Sequence, residues 1–158
     1  MDHGLTRRKD RRATRRRTRG RQEARVAGDA RLRHTSRPLV LIADGDADAR
    51  TMYGAYLRAM GCVVFTARDG AIAIEKADAL CPDVIVMDLA MPQVDGWAAA
   101  SRLKASSRTK RIPIIALSAV EMSRDSAHAA GCASFLAKPC LPELLWWRIR
   151  TLLASEKI

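Results

Sequence analysis

Aromatic side chains are scarce in this sequence, at 4% of its 158 residues, and none occurs among residues 1–37. A nucleic-acid platform built on base stacking therefore has no material in that stretch. No apolar run approaches the roughly 20 residues that cross a bilayer, so no membrane attachment is expected. The Arg7-Arg8 pair is followed by no apolar stretch, which argues against a secretory signal. Four cysteines, Cys62, Cys81, Cys132 and Cys140, lack the short paired spacing of a zinc site. They read as reduced thiols, in or beside apolar runs, of a cytoplasmic protein.

What is present is unevenly placed. Lys plus Arg number 28 against 17 Asp plus Glu, a formal net charge of +11. Residues 1–37 hold 14 basic side chains and 4 acidic ones, a net of +10, whereas residues 38–158 hold 14 and 13, a net of +1. The first 37 positions also have few large apolar residues, chiefly Leu5, Val26 and Leu32. Such a segment cannot offset its ordering entropy by burial, and residues 1–37 are expected to form a disordered basic arm. Two uses of it stay open: a solvated tail, or non-specific nucleic acid binding through phosphate charge. Residues 38–158 are long enough for one hydrophobic core without disulfide staples.

From Pro38 onward the pattern alternates. Strand-like runs occur at 38–43, 62–67, 83–88, 112–118 and 133–138. Helical spacing falls between them, at 46–60, 69–80, 96–105 and 120–130, and a last helix closes the chain at 141–155. The first should bury Tyr53, Tyr56, Leu57 and Met60; the second, Ile72, Ile74, Ala77 and Leu80. Gly61 and Gly131 stand where the first and fourth helices should stop. Five strands alternating with five helices predict an α/β fold, a parallel sheet doubly wound by helices on both faces. Val84–Met87, apolar throughout, suits a strand buried on both sides.

Strands of a parallel sheet end at one edge, and ligands of open α/β sheets bind there. The first run ends in Asp44, the third in Asp88, the fourth in Ser118 and the fifth in Lys138. Two carboxylates, a hydroxyl and an ammonium form a set suited to a divalent cation and a phosphoryl group. With VIVMDLAMPQVDGW (84–97), IPIIALSA (112–119) and AGCASFLAKP (130–139) in order, residues 38–155 resemble the receiver domains of bacterial two-component response regulators. The resemblance implies the flavodoxin-like receiver fold with strand order 2-1-3-4-5. Asp88 would be the phosphoacceptor, with Mg2+ held by Asp44, Asp88 and the backbone carbonyl of Ala90. Lys138 and Ser118 would stabilise the phosphoryl group, and Ser118 and Phe135 would act as the switch. Pro139 would follow a cis peptide, and Pro92 and Gly96 would shape the phosphoacceptor loop. A core packing role for Phe135, and for Trp97, is the competing reading.

The sequence departs from that family at one position. Two acids in succession usually follow the first strand, and here the pair reads Asp44-Gly45. Asp46 is a candidate substitute ligand, with a helix N-cap as its alternative role. Mg2+ tolerates several waters as ligands, so Gly45 is expected to weaken the metal site rather than abolish it.

The resemblance makes the chain a phosphoacceptor switch rather than an enzyme with an output domain, phosphorylated by a histidine kinase or phosphotransfer protein. Only a few residues follow the last helix, so output is expected to pass through an unknown downstream protein. That partner, or a homodimer contact, could dock on the last helix near Trp146 and Trp147. Leu141, Leu145, Ile149 and Leu152 of that helix should face the sheet. Two alternatives compete: a nucleic-acid-associated regulator tethered by the arm, and a phosphorylation-independent interaction module created by Gly45.

Overall fold

The computed structural model describes residues 37–91, 93–119 and 124–155. The arm expected over 1–37, apart from Arg37, lies outside the described residues, as do Pro92 and the first residues of the fourth expected helix, 120–123. The elements run β1 (Leu39–Ala43), α1 (Ala47–Ala59), β2 (Val63–Ala67), α2 (Gly70–Leu80), β3 (Val84–Asp88), α3 (Gly96–Ala105), β4 (Ile114–Ser118), α4 (Arg124–Ala129), β5 (Ser134–Ala137) and α5 (Pro142–Ser155). All strand pairs are parallel, in the order β2-β1-β3-β4-β5. This is the expected doubly wound sheet, with β1 and β3 adjacent and β3 at its centre.

Alternation along each strand divides the core into two layers. Leu41, Ile85, Met87, Ile114 and Ala116 join Ala73, Ala77, Ala99, Ala100 and Leu103 of α2 and α3 on one face. Val40, Ile42, Val84, Val86, Ile115 and Leu117 join Tyr53, Leu57, Leu145 and Ile149 of α1 and α5 on the other. Every residue of β3 and β4 is buried, which explains why their sequences are unbroken apolar runs up to a terminal polar residue.

Three helices start on an aspartate whose side chain accepts a backbone N–H of the first turn. Asp46 takes Asp48 N at 2.9 Å, Asp69 takes Ile72 N at 2.8 Å and Asp95 takes Ala98 N at 2.7 Å. Each such cap stabilises by about 1 kcal/mol. Gly61 (φ +94°) and Gly131 (φ +85°) adopt the left-handed conformation just past α1 and α4, as their spacing predicts. α2 ends differently: Cys81 takes that conformation (φ 47°, ψ 62°) without being glycine.

Three expectations of burial need correction. Leu141 is 71% exposed, because it precedes α5 and its carbonyl accepts the N–H groups of Leu144 and Leu145, outside the helical stripe. Met60 is 41% exposed at the C-cap of α1, one step past the buried positions Tyr53 and Leu57. In α2 the buried line is Gly70, Ala73 and Ala77, small residues that let the helix lie close to the sheet, while Ile72 and Ile74 flank it half-buried. Trp146 packs against the second core layer, whereas Trp147 is exposed with the Arg148 guanidinium 5.3 Å from its ring centroid.

All four cysteines are free thiols; Cys62, Cys132 and Cys140 are buried and Cys81 is exposed. Burial pushes the Cys132 thiol up despite Lys104 nearby, and burial likewise raises Cys140 despite a hydrogen bond from the Leu145 backbone. A raised thiol pKa means less thiolate at a given pH, and the thiolate is the reactive form. Titration of the native protein with a thiol reagent at pH 8 should therefore show one fast cysteine, Cys81, with the other three reacting only after denaturant is added. Cys140 reacting at the rate of Cys81 would contradict the burial.

Candidate phosphoacceptor site

The sheet delivers its polar strand ends to one edge. Asp88 closes β3 opposite Leu117 of β4, and Ser118 pairs with Ala137 of β5. Lys138 follows β5 directly, and its backbone N–H donates to the Ser118 carbonyl at 2.9 Å. Its side chain then crosses toward the sheet centre. Lys138 Nζ lies 2.6 Å from Asp44 Oδ2 and 3.3 Å from Asp88 Oδ2. Three residues far apart in sequence thus meet as one ammonium between two carboxylates. Burial alone would lower the Lys138 pKa, but the hydrogen bond and charge of Asp44, followed by the charge of Asp88, raise it overall. The lysine stays charged.

The two carboxylates are not equivalent. The Asp44 side chain is 2% exposed and that of Asp88 is 11% exposed, so only Asp88 offers a face to an incoming reactant. Their other oxygens are held by local backbone. Asp44 Oδ1 accepts Asp46 N at 2.9 Å, and Asp88 Oδ1 accepts Ala90 N at 2.9 Å. A carboxylate fixed at both oxygens keeps one orientation, as a reacting group must.

Other expected residues fall around this trio. Ser118 is fully buried at the end of β4. Phe135 is half-buried on β5 against the first core layer, and Trp97 packs on the same layer from α3. The Lys138-Pro139 peptide is cis. Gly45 is exposed immediately after Asp44, and the Asp46 carboxylate is engaged as the α1 cap. Gly96 has the tightest surroundings of the loop: a Cβ there would lie 2.2 Å from the Asp88 carbonyl oxygen. The first residue of α3 rests directly on the backbone of the candidate phosphoacceptor.

Two residues take supporting roles at the site that the sequence expectations did not give them. Arg50 donates to the Asp44 carbonyl at 2.7 Å, fixing the start of the β1–α1 loop. Tyr53 donates its hydroxyl to the Cys140 carbonyl at 2.9 Å, tying α1 to the loop that carries Lys138. Burial raises the pKa of that tyrosine, so it remains a donor. Both act on backbone carbonyls, which every residue has, so the partner's sequence gives no signal.

A divalent cation would meet a sparse donor set here. Two carboxylates, Asp44 and Asp88, lie at the edge, and Lys138 cancels one of the two negative charges. Among the described residues no group of three or more His, Cys, Asp or Glu could hold a metal ion. The set fits a magnesium ion that keeps much of its water, and it is one carboxylate poorer than a three-acid site.

Comparison with known proteins agrees with this geometry. The family model described as the response regulator receiver domain matches residues 40–150. The chain is 37% identical to the gliding motility regulatory protein of Myxococcus xanthus, over 63% of this chain and 13% of that one. It is 34% identical to the DNA-binding dual master transcriptional regulator RpaA of Synechocystis, over 73% of this chain and 49% of that one. The chain thus spans about half or less of the length of these curated relatives. Among solved structures, chemotaxis response regulator CheY4 of Vibrio cholerae aligns with a TM-score of 0.69 at 31% identity, covering 73% of this chain and 98% of that one. The receiver domain of the Pseudomonas aeruginosa sensor histidine kinase PA1611, which has a magnesium ion coordinated in its active-site cleft, aligns with a TM-score of 0.70 at 29% identity, covering 75% and 99%. A family match that runs from the first strand to the last helix accounts for the sheet order and its polar edge alike: the chain belongs to the response regulator receiver domain family.

Proposed function

We propose that this chain is a phosphoacceptor switch in a two-component phosphorelay, with Asp88 receiving the phosphoryl group from the phosphohistidine of a histidine kinase or phosphotransfer protein. The observation that carries this reading is the Lys138 ammonium set between Asp44 and the more exposed Asp88. An ionised carboxylate attacks phosphorus without a general base. An Asp88 oxygen forms the new P–O bond as the P–N bond to the donor histidine breaks. Negative charge then sits on the phosphoryl oxygens, beyond the carboxylate. Lys138, already 3.3 Å from Asp88 Oδ2, is placed to pair with it. Asp44, Asp88 and the Ala90 carbonyl would hold Mg2+, which when bound supplies charge neutralisation at the phosphoryl oxygens.

Ser118 and Phe135 form the switch in this reading. Ser118 shares its strand end with the backbone that anchors Lys138, and Phe135 lies three residues before that lysine on β5. A phosphoryl group that draws the Ser118 hydroxyl inward would favour one packing of Phe135, a shift of population between two states. A downstream protein reads the outcome, with the exposed Trp147 side of α5 as the proposed docking region.

The test is incubation with Mg2+ and a small phosphodonor such as acetyl phosphate, followed by intact-mass measurement. The parent should gain one phosphoryl group and Asp88→Ala none. Equal uptake by Asp88→Ala would place the acceptor elsewhere and overturn the assignment.

A further inference from the structure

Lysine is a flexible point charge on a four-carbon stem, so the aim of Lys138 depends on the backbone that carries it. Its ammonium lies 2.6 Å from Asp44 Oδ2 and 3.3 Å from Asp88 Oδ2, and the second contact is already at the long end for a hydrogen bond. A backbone shift of about 1 Å would break it, and misplacement on that scale costs a reacting site about 100-fold. Residues 139–141 carry the chain from Lys138 to α5, which opens on Pro142. Pro139 and Pro142 have no N–H, so this stretch has few donors of its own with which to anchor itself.

Tyr53 supplies one from outside. Its hydroxyl reaches from the buried face of α1 and donates to the Cys140 carbonyl at 2.9 Å. For packing alone a phenylalanine would serve, since the ring belongs to the apolar layer that also holds Leu57, Leu145 and Ile149. A hydroxyl in such a layer costs free energy unless it is hydrogen-bonded, and the Cys140 carbonyl is its partner. Burial raises the Tyr53 pKa most, followed by the Cys140 thiol; Lys138 lowers it and Asp44 raises it. The phenol thus lies within electrostatic reach of both members of the ion pair.

Arg50 stands three residues earlier in α1 and donates to the Asp44 carbonyl at 2.7 Å. Residues at that spacing are neighbours on a helix surface. One side of α1 therefore holds the backbone at Asp44 and again two residues past Lys138. The 2.6 Å ion pair is fixed at both of its roots by the same helix.

We propose that Tyr53 is a positioning residue for phosphoryl transfer: its hydroxyl clamps the segment after Lys138 to α1 and so keeps the ammonium between Asp44 and Asp88. As a role in phosphoryl transfer this rests on Asp88 being the acceptor; as a constraint on the lysine it does not. Tyr53 acts through Lys138 and touches no reacting atom. Without the hydroxyl, the Cys140 carbonyl loses its donor and the segment gains freedom. The ammonium then spends less time beside Asp88, where the charge of the phosphoryl group arrives.

The test compares the full chain with Tyr53→Phe, Lys138→Met and the variant carrying both. Tyr53→Phe should fold, with a lower urea midpoint at unchanged slope. Its phosphoryl uptake from acetyl phosphate and Mg2+ should be about 10-fold slower, short of the full cost of a 1 Å displacement. In Lys138→Met, measured over longer incubation, adding Tyr53→Phe should slow uptake no further, because the two residues act as one unit. Proton–nitrogen correlation NMR at low temperature reads the lysine ammonium groups directly, and loss of one signal in Lys138→Met assigns it. That signal should be sharp in the parent and broadened or lost in Tyr53→Phe. An unchanged signal in Tyr53→Phe, or no sharp signal in the parent, overturns the proposal. Unslowed uptake by Tyr53→Phe also overturns it, as does a slowing that persists in full in Lys138→Met, which would make the hydroxyl a stabilising group only. A parent that takes up no phosphoryl group removes Asp88 as acceptor; then, or where Lys138→Met takes up none, the ammonium signal decides on the clamp alone.

Discussion

Gly96→Ala is expected to lower the stability of the folded unit by about 3 kcal/mol, the upper end of the range for overpacking. The reason is the nature of the atoms in the way. A Cβ at this position would lie 2.2 Å from the Asp88 carbonyl oxygen and 2.6 Å from the Leu89 Cα. Both belong to backbone, which cannot rotate aside as a side chain can. Either α3 lifts from the sheet, loosening Ala99, Ala100 and Leu103 in the first core layer, or the end of β3 moves. The second course displaces Asp88 from Lys138. Gly54→Ala is the control: there the nearest atom to a new Cβ is the Arg58 guanidinium at 3.0 Å, the far end of a flexible chain, and alanine gains helix propensity. Urea denaturation should show a lower midpoint at unchanged slope for Gly96→Ala and little loss for Gly54→Ala. Phosphoryl uptake should be slowed only in the first. A Gly96→Ala protein as stable as the parent would mean that α3 packs on β3 more loosely than the geometry indicates.

The same glycine illustrates what the sequence does and does not disclose. Its place in the loop is legible from the Asp95-Gly96 turn signal, but the close approach that demands glycine exists only once α3 is laid on β3. β1, β3 and β4 are legible because burial on both faces leaves them no polar option until their ends. That constraint also exposes Asp44, Asp88 and Ser118 as strand ends, and parallel pairing then brings them to one edge. Helix faces are less legible. In α2 the isoleucines suggest one stripe, while the close packing against the sheet selects Ala73 and Ala77. Leu141 and Met60 fit a helical period but sit at caps, where the period no longer governs direction. Arg50 and Tyr53 hold the site through carbonyls of Asp44 and Cys140. No pattern in the sequence marks a carbonyl that will need a donor.

Gly45→Asp is expected to tighten Mg2+ binding 10- to 100-fold, about 1.4–2.8 kcal/mol. At present Asp44 and Asp88 contribute two negative charges and Lys138 removes one, leaving a site of net −1. A third carboxylate would double that to −2. Its attraction for a divalent ion a few ångströms away amounts to several kcal/mol at an effective dielectric constant of about 20. Most of that is offset by repulsion from Asp44 and Asp88 and by the water the ion gives up, which leaves the smaller net figure. The substitution lies at an exposed position, so the added charge is solvated when no metal is bound and should cost little in folding. Titration calorimetry with MgCl2 gives the affinity, and phosphoryl uptake from acetyl phosphate gives the consequence. Uptake by the parent, accelerated in Gly45→Asp at low Mg2+, fits a working switch with a thinned metal site. Uptake by Gly45→Asp alone would instead favour a phosphorylation-independent interaction module, since Asp88 and Lys138 would then be in place but inert for want of the metal. Unchanged affinity would sink the premise itself, because the position after Asp44 would then be out of the ion's reach.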